Sequence, residues 1–123
     1  MSPDSRLQRG AASERLAAEY LQSRGLVVLA RNLRCRAGEL DLVCLDGAVL
    51  AIVEVRQRNR IDFGGALASV DARKRRRIIR AARILVQRRR EWRAYAIRFD
   101  VFAIEGLPDG VHRVVWLKDA FRA

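Results

Sequence analysis

Acidic side chains recur on the two segments that flank an Asp46-Gly47 turn signal. Glu39 and Asp41 precede the turn, and Glu54 follows it. If the two turn residues form the loop of a hairpin, Asp41 and Glu54 become diagonal neighbours on one sheet face, with Cβ atoms about 7–8 Å apart. Two carboxylates that converge from that distance can hold a divalent cation between them.

This register also determines which other side chains share the acidic face, because side chains alternate along a strand. Asp41 faces Ile52, Glu39 faces Glu54, and Arg56 projects on the same side. The acidic face also carries the apolar residues Val43, Leu50 and Ile52. The opposite face is apolar throughout and consists of Leu40, Leu42, Cys44, Val49, Ala51, Val53 and Val55. Burying unpartnered acids costs several kcal/mol, so a metal ion is one partner that would resolve this pattern. The alternative is a solvated face on which Glu54 and Arg56 form an ordinary ion pair.

A second feature is the basic segment from Arg73 to Arg93, which holds eleven bases and one acid and supplies most of the chain's net charge of +11. On a helix, Arg73 repels Arg77, and Arg76 repels Arg80, at i,i+4 spacing. A polyanion would offset this repulsion, which favours salt-sensitive contact with a nucleic-acid backbone. A solvated charged face is the alternative. A membrane surface is disfavoured because the segment lacks an exposed aromatic face.

The hydrophobic periodicity predicts the elements that position these residues, in the order α-β-β-β-α-β-β. The predicted elements are a helix from Ser5 or Ser13 to Arg24, strands at Leu26–Leu29, Glu39–Leu45 and Ala48–Arg56, a helix from Ser69 or Asp71 to Glu91, and strands at Ala96–Ile104 and Val111–Leu117. Loops are expected at Ile61–Ala66 and Leu107–Gly110. The helices present two apolar faces, Leu16, Ala17, Tyr20 and Leu21 on the first and Ile78, Ile79, Ala82, Leu85 and Val86 on the second. Strand Ala48–Arg56 is apolar almost throughout, which predicts a central position in the sheet.

Length and composition indicate one α/β domain over residues 1–123, since half the residues are hydrophobic and 32% are charged. No apolar run reaches the roughly 18 residues of a membrane span, and the first residues do not resemble a secretory signal, so a cytoplasmic protein is expected. Cys35 and Cys44 have no companion ligands at zinc spacing, and His112 is the only histidine. We therefore expect free thiols and no zinc site.

Several motifs together resemble one known family. They are Gly38-Glu39-Leu40-Asp41-Leu42-Val43, the later Ile52-Val53-Glu54-Val55-Arg56-Gln57-Arg58, Phe63-Gly64 and Lys74, together with Glu14-Arg15-Leu16-Ala17, Tyr20-Leu21, Gly25, Arg31-Asn32 and Arg98-Phe99-Asp100. This combination resembles the UPF0102 (YraN-like) family of small bacterial proteins over about residues 10 to 105. The family is similar to archaeal Holliday-junction resolvases, and the resemblance implies a restriction-endonuclease-like α/β fold with a mixed central sheet flanked by helices.

The resemblance also implies roles for individual residues. Asp41 and Glu54 would bind Mg²⁺ or Mn²⁺, helped by the backbone carbonyl of Val55, and Glu14 would be an additional acid from the first helix. Gln57 or Arg58 would lie beside the scissile phosphate. With Arg56, the expected catalytic set is Glu14, Asp41, Glu54, Arg56 and Gln57, and the expected nucleic-acid-binding set is Arg58, Arg73, Lys74, Arg76, Arg77 and Arg80.

Position 56 departs from the pattern, because the related nucleases carry lysine where this chain has Arg56. An arginine keeps the positive charge but does not readily release a proton. The expectation is therefore a nucleic-acid-binding protein that resembles a Mg²⁺-dependent endonuclease, acting on DNA rather than RNA, with branched DNA as one candidate substrate. The resemblance also suggests a homodimer. The alternatives are a non-catalytic nucleic-acid-binding module and a basic interaction protein.

Overall fold

The computed structural model of the chain describes residues 5–58, 65–106 and 111–123. Most of the predicted loop Ile61–Ala66 lies outside the described residues, as do the whole of the turn Leu107–Gly110 and the Phe63-Gly64 motif. The described elements are α1 (Ser5–Ser23), β1 (Val27–Cys35), β2 (Gly38–Asp46), β3 (Val49–Arg58), α2 (Gly65–Ala68), α3 (Ala72–Gln87), a 3₁₀ turn (Arg90–Trp92), β4 (Ala96–Gly106) and β5 (His112–Phe121). The predicted α/β class is confirmed, and the short helix α2 is an addition to the predicted order.

The strands form a single five-stranded sheet in the spatial order β1-β2-β3-β4-β5. Among the described strands, β3 and β4 pair in parallel over their whole length, from Val49↔Ala96 to Arg58↔Glu105, and the other neighbours are antiparallel. The prediction that the third segment is the central strand is confirmed. No helix of the described residues has the length and apolar character that crossing a bilayer requires.

The observed register of the hairpin between β2 and β3 differs from the predicted register by two residues. Asp46 pairs with Val49, so the loop is Gly47-Ala48 rather than Asp46-Gly47. Gly47 has φ of 60° while Ala48 is not at positive φ, a pattern typical of a II′ turn with glycine at its first position. Asp46 is thereby kept in the strand, where its carboxylate contacts Arg98 at 3.0 Å. A two-residue shift preserves the alternation, so the acidic face predicted for Asp41 is retained.

The two faces of the sheet are covered by different helices. Helix α3 packs with Val43, Leu50 and Ile52, and α1 packs with a second cluster on the other face. The second cluster contains Ala17, Ala18, Leu21, Leu42, Cys44, Ala51, Val53 and Phe102. Both faces of β3 are therefore buried, and any charged side chain near the helix-covered part of β3 needs a specific partner.

Two predicted core positions differ from the observed packing. Leu16 is 44% exposed, and Ala18 takes its place on the buried side of α1. Leu40 packs in the α3 cluster, although Leu42, two residues later, packs in the α1 cluster. The alternation is interrupted where Asn32, between Arg31↔Leu42 and Leu33↔Leu40 on the neighbouring strand, takes φ of 53°.

Helix α3 begins at a side-chain cap and ends earlier than predicted. The Asp71 carboxylate accepts a hydrogen bond from the backbone N–H of Lys74 at 2.8 Å, and Ile78, Ala82 and Leu85 form part of its buried stripe. The helix ends at Gln87 rather than Glu91, since the chain turns there to bury Trp92. The last bases of the basic segment, Arg88–Arg93, therefore lie outside the helix.

A buried carboxylate joins β4 to β5. Asp100 is fully buried and accepts two hydrogen bonds from the Arg98 guanidinium at 2.8 and 2.9 Å. It also accepts hydrogen bonds from Trp116 Nε1 at 3.1 Å and from the backbone N–H of Asp119 at 3.0 Å. This network fixes β4, the parallel neighbour of the strand that carries Glu54.

We expect Asp100→Asn to lower the free energy of unfolding by about 3 kcal/mol, because an amide turns one acceptor into a donor and leaves buried donors unpaired. Urea denaturation followed by circular dichroism measures this loss. Asp119→Asn is the matched control, since it removes only an exposed pair with Arg122 and asparagine tolerates the φ of 52° at this position. Equal stabilities of the two variants would contradict the prediction.

Candidate active site

The site begins where β2 and β3 separate. Their described pairing ends at Leu42↔Val53. Beyond this pair the backbone N–H of Val55 donates to Asp41 Oδ2 at 2.9 Å, where a continuing ladder would offer a β2 carbonyl. A side chain has thus taken the place of the backbone, and the two strands diverge around it.

A cleft of about 760 Å³ opens at this separation, between the first half of α1 and the start of α3. Its lining residues are Gly10, Ser13, Glu14, Asp41, Glu54, Val55, Arg56, Gln57 and Lys74. The structure therefore brings together the five residues of the expected catalytic set and the expected metal ligand Val55. Their roles in chemistry stay predictions.

Glu54 is the most deeply buried acid of the cleft, with 5% of its surface exposed. Its carboxylate lies 3.3 Å from the Lys74 ammonium, so the ion-pair partner found among the described residues is Lys74 and not Arg56. Burial raises the pKa of Glu54 to about 8, and the negative charge of Asp41 and a hydrogen bond to that side chain contribute to the rise, against the opposing effect of Lys74. At neutral pH the folded chain therefore keeps the Glu54 proton.

Glu14 extends the acidic cluster from α1. Its pKa is raised by burial and then by the charges of Asp41 and Glu39, against a side-chain hydrogen bond from Asn32. Glu39 itself lies at the edge, 3.6 Å from the exposed Arg34 guanidinium, which agrees with a structural acid tied to an arginine. The cluster thus combines two acids whose pKa values are raised.

Two polar side chains complete the wall that β3 contributes. The buried Nε of Arg56 has no hydrogen-bond partner within the described part of the chain. A buried donor without an acceptor costs about 1–3 kcal/mol, so an incoming acceptor such as a phosphate oxygen is favoured there. Gln57 Oε1 accepts a hydrogen bond from Ser13 Oγ at 2.7 Å, which ties the strand to α1.

The donor set of the cleft fits a hard divalent cation. No group of three or more histidine, cysteine or acidic residues has metal-binding geometry in the described residues. Mg²⁺ is usually held by only one or two carboxylates and keeps several waters, which Asp41 and Glu54 satisfy. The pKa of Glu54 is raised by burial and then by the charge of Asp41, and the Val55 carbonyl belongs to the same strand segment as the N–H that donates to Asp41.

The basic residues of α3 divide into two groups. Arg73, Arg76, Arg77 and Arg80 are exposed, and Lys74 and Arg77 line a pocket of about 160 Å³ that adjoins the cleft and shares Asp41 and Glu54 with it. Arg75 points inward instead, and its guanidinium donates to the carbonyls of Val70 at 2.7 Å and Leu67 at 3.2 Å. Of the exposed arginines, Arg77 therefore lies beside the carboxylate pair. Arg58 differs from them, since only 9% of its surface is exposed.

Two contributors to the site, Ser13 and Asn32, and the partner of a third, Lys74, are not predicted from the sequence. Lys74 is expected to bind phosphate but contacts Glu54, and neither Ser13 nor Asn32 is expected to take part. Ser13 precedes Glu14 on one turn of α1, and Asn32 is the residue type that most readily takes positive φ after glycine. These two features are the signals that could have identified them.

Comparisons with known proteins agree with the resemblance. The model of the family described as "Uncharacterised protein family UPF0102" matches residues 13–104. A UPF0102 protein of Pseudomonas putida strain KT2440 is 47% identical over 121 residues, which is 98% of each chain. A UPF0102 protein of Pseudomonas fluorescens strain Pf0-1 is 48% identical over 97% of this chain and 98% of its own, and one of Pseudomonas savastanoi pv. phaseolicola is 43% identical over 98% of each.

We expect the free energy of unfolding to lose a contribution from Glu54 as pH rises from about 4.5 to 8. Over this range the unfolded chain has released the Glu54 proton while the folded chain keeps it, so folding is disfavoured progressively. Glu54→Gln removes this effect, and its melting temperature relative to the native chain should rise from pH 5 to pH 8 in metal-free buffer. Glu19→Gln, at an exposed position of α1, is the matched control. A difference for Glu54→Gln that does not change with pH would contradict the raised pKa.

Proposed function

The chain belongs to the UPF0102 family, and from the geometry of its cleft we propose that it binds DNA and hydrolyses phosphodiester bonds with Mg²⁺ or Mn²⁺. The observation that carries the proposal is the Asp41–Glu54 pair, which lies in a cleft that Arg56 and Lys74 also line, next to a pocket lined by the exposed Arg77. Acids alone would repel a nucleic acid. A carboxyl pair beside a helix that carries exposed bases is suited to take up a cation and a phosphate together.

Asp41, Glu54 and the Val55 carbonyl would hold the cation. When bound, Mg²⁺ would polarise the phosphate and lower the pKa of a water at the cleft. Asp41 is already oriented for this role by the Val55 N–H at 2.9 Å. Glu54 would give up its proton on cation binding, because a nearby positive charge favours the carboxylate. Glu14 lies in the same cleft and can accept a proton from a water.

Arg56 and Lys74 supply positive charge from opposite sides of the cleft. The unpartnered Nε of Arg56 is a donor for a phosphate oxygen, and its guanidinium stabilises the charge that develops in the transition state. Lys74 brings the only ammonium among the residues that line the cleft, and only one other of the chain's 25 basic residues is a lysine. It lies 3.3 Å from Glu54 and is 41% exposed, so it reaches both the carboxylate and an incoming anion.

A second candidate function retains DNA binding and omits hydrolysis. The observation that favours it is Arg56, at the position where the related nucleases carry lysine. In that case Lys74 and Glu54 form a structural ion pair, and the cleft holds a phosphate without cutting the strand. Cleavage assays separate the two candidates.

We expect the native chain to cleave linear or four-way-junction DNA in the presence of Mg²⁺ or Mn²⁺. Asp41→Asn and Glu54→Gln should each lower the cleavage rate by about a hundredfold or more, because each removes a negative ligand of the cation. Arg56→Lys should raise the rate. Gel analysis of end-labelled DNA measures all four proteins, and Glu19→Gln is the control with the same chemical change outside the cleft.

Carboxylate variants that cleave as fast as the native chain would place any activity outside this cleft. If neither the native chain nor Arg56→Lys cleaves while both bind DNA, the second candidate function is correct.

We also expect the affinity for duplex DNA to fall with salt, with a slope of log affinity against log salt that reports the number of phosphates neutralised. The double variant Arg76→Gln/Arg80→Gln should lower that slope by about 0.9 for each phosphate that the protein no longer neutralises. Arg90→Gln/Arg93→Gln is the matched control, because it removes the same charge from exposed positions beyond the end of α3. Fluorescence anisotropy over a range of potassium chloride concentrations gives the slopes. An equal decrease in both double variants would show that net charge, not the face of α3, determines binding.

A further inference from the structure

A second cavity of about 380 Å³ lies on the other side of α1 from the centre of the cleft. Its walls are apolar and come from Ala12 and Leu16 on α1, Ile104 on β4 and Val114 on β5. Leu16 is 44% exposed, so this apolar groove opens to solvent and is not part of the core. An exposed apolar groove next to a polar site suits a ligand that has an apolar part and a charged or polar part.

The groove and the cleft meet at one hydrogen bond. Ser13 and Gln57 line both cavities, and the bond from Ser13 Oγ to Gln57 Oε1 forms the partition between them. A molecule bound in the cleft therefore has to cross only this pair of side chains to reach the groove. The Gln57 amide and the His112 ring add hydrogen-bonding groups at the edge of the apolar walls.

We infer that the groove binds an unpaired nucleobase of the strand whose phosphate occupies the cleft. The inference rests on the proposed function and specifies its substrate. A nucleobase has apolar faces and a polar edge, which match the walls of the groove and the polar groups at its rim. A base stacked inside a duplex cannot enter, so the site selects single strands, frayed ends or branch points.

A second copy of this chain is the other occupant that the groove could take. A stable dimer buries roughly 1,200 Å² or more, and a groove of this size supplies only a small part of that area. Continuity with the cleft favours the nucleobase, because the strand already bound there brings its own bases to the partition at Ser13 and Gln57.

The test compares two oligomers that differ only in their bases. One is a fluorescein-labelled oligothymidine of about twelve nucleotides, and the other is the same sugar-phosphate chain with abasic residues. Measured by anisotropy in EDTA, the native chain should bind oligothymidine about tenfold more tightly than the abasic oligomer. Ala12→Phe, which fills the groove, and Leu16→Asp, which makes it polar, should lose this preference and keep the affinity for the abasic oligomer. Leu29→Asp, at a position of β1 that is 38% exposed, is the control and should keep the preference.

The outcomes separate this inference from the proposed function. Equal affinity of the native chain for the two oligomers overturns the nucleobase site and leaves DNA binding intact. Failure to bind either oligomer overturns both. If the groove variants instead change the sedimentation coefficient of the free protein and retain the base preference, the groove is a contact between copies of the chain and the inference is wrong.

Discussion

The backbone N–H of Val55 donates its hydrogen bond to the side chain of Asp41. The site depends on this bond, because the carboxylate takes the place of the β2 backbone carbonyl that a continuing ladder would offer. A ladder that continued past Leu42↔Val53 would seal the two strands and leave no cleft. The same bond turns one acid toward β3 and sets it beside Glu54. One hydrogen bond therefore both opens the sheet and orients the Asp41 carboxylate.

The acidic pair of the cleft and the basic residues of α3 each carry a charge that is unfavourable without a partner. Burial and the charge of Asp41 raise the pKa of Glu54, while the exposed arginines of α3 repel one another along the helix. Lys74 is the contact between the two groups, at 3.3 Å from Glu54. A bound cation would stabilise the carboxylates, and a phosphate would reduce the repulsion among the arginines. This pair of effects is the physical basis of the proposed function.

The alternation of apolar and acidic residues around the turn is enough to predict the α/β class, the central strand and the shared face of Asp41 and Glu54. A shift of two residues in the hairpin leaves that face unchanged, so the error in register does no harm. Contacts between elements that are distant in the sequence are not predictable in this way. The pairing of Lys74 with Glu54 depends on how α3 is placed over the sheet, and the inward turn of Arg75 depends on the carbonyls of Leu67 and Val70. The pattern of a single sequence indicates which face of a helix or strand is apolar, but not how a helix is rotated relative to the strand on which it packs.

The parallel pairing of β3 with β4 has an electrical consequence. The chain leaves β3 at Arg58 and must travel back to Ala96, and α3 makes most of this return. Its amino-terminal end, capped by Asp71, is thereby delivered to the carboxyl end of β3. The aligned peptide dipoles of a helix place about half a positive charge at that end. The positive end of the α3 backbone dipole therefore lies at the end of the sheet where β3 finishes, and the negative charge of the Asp71 carboxylate meets it there.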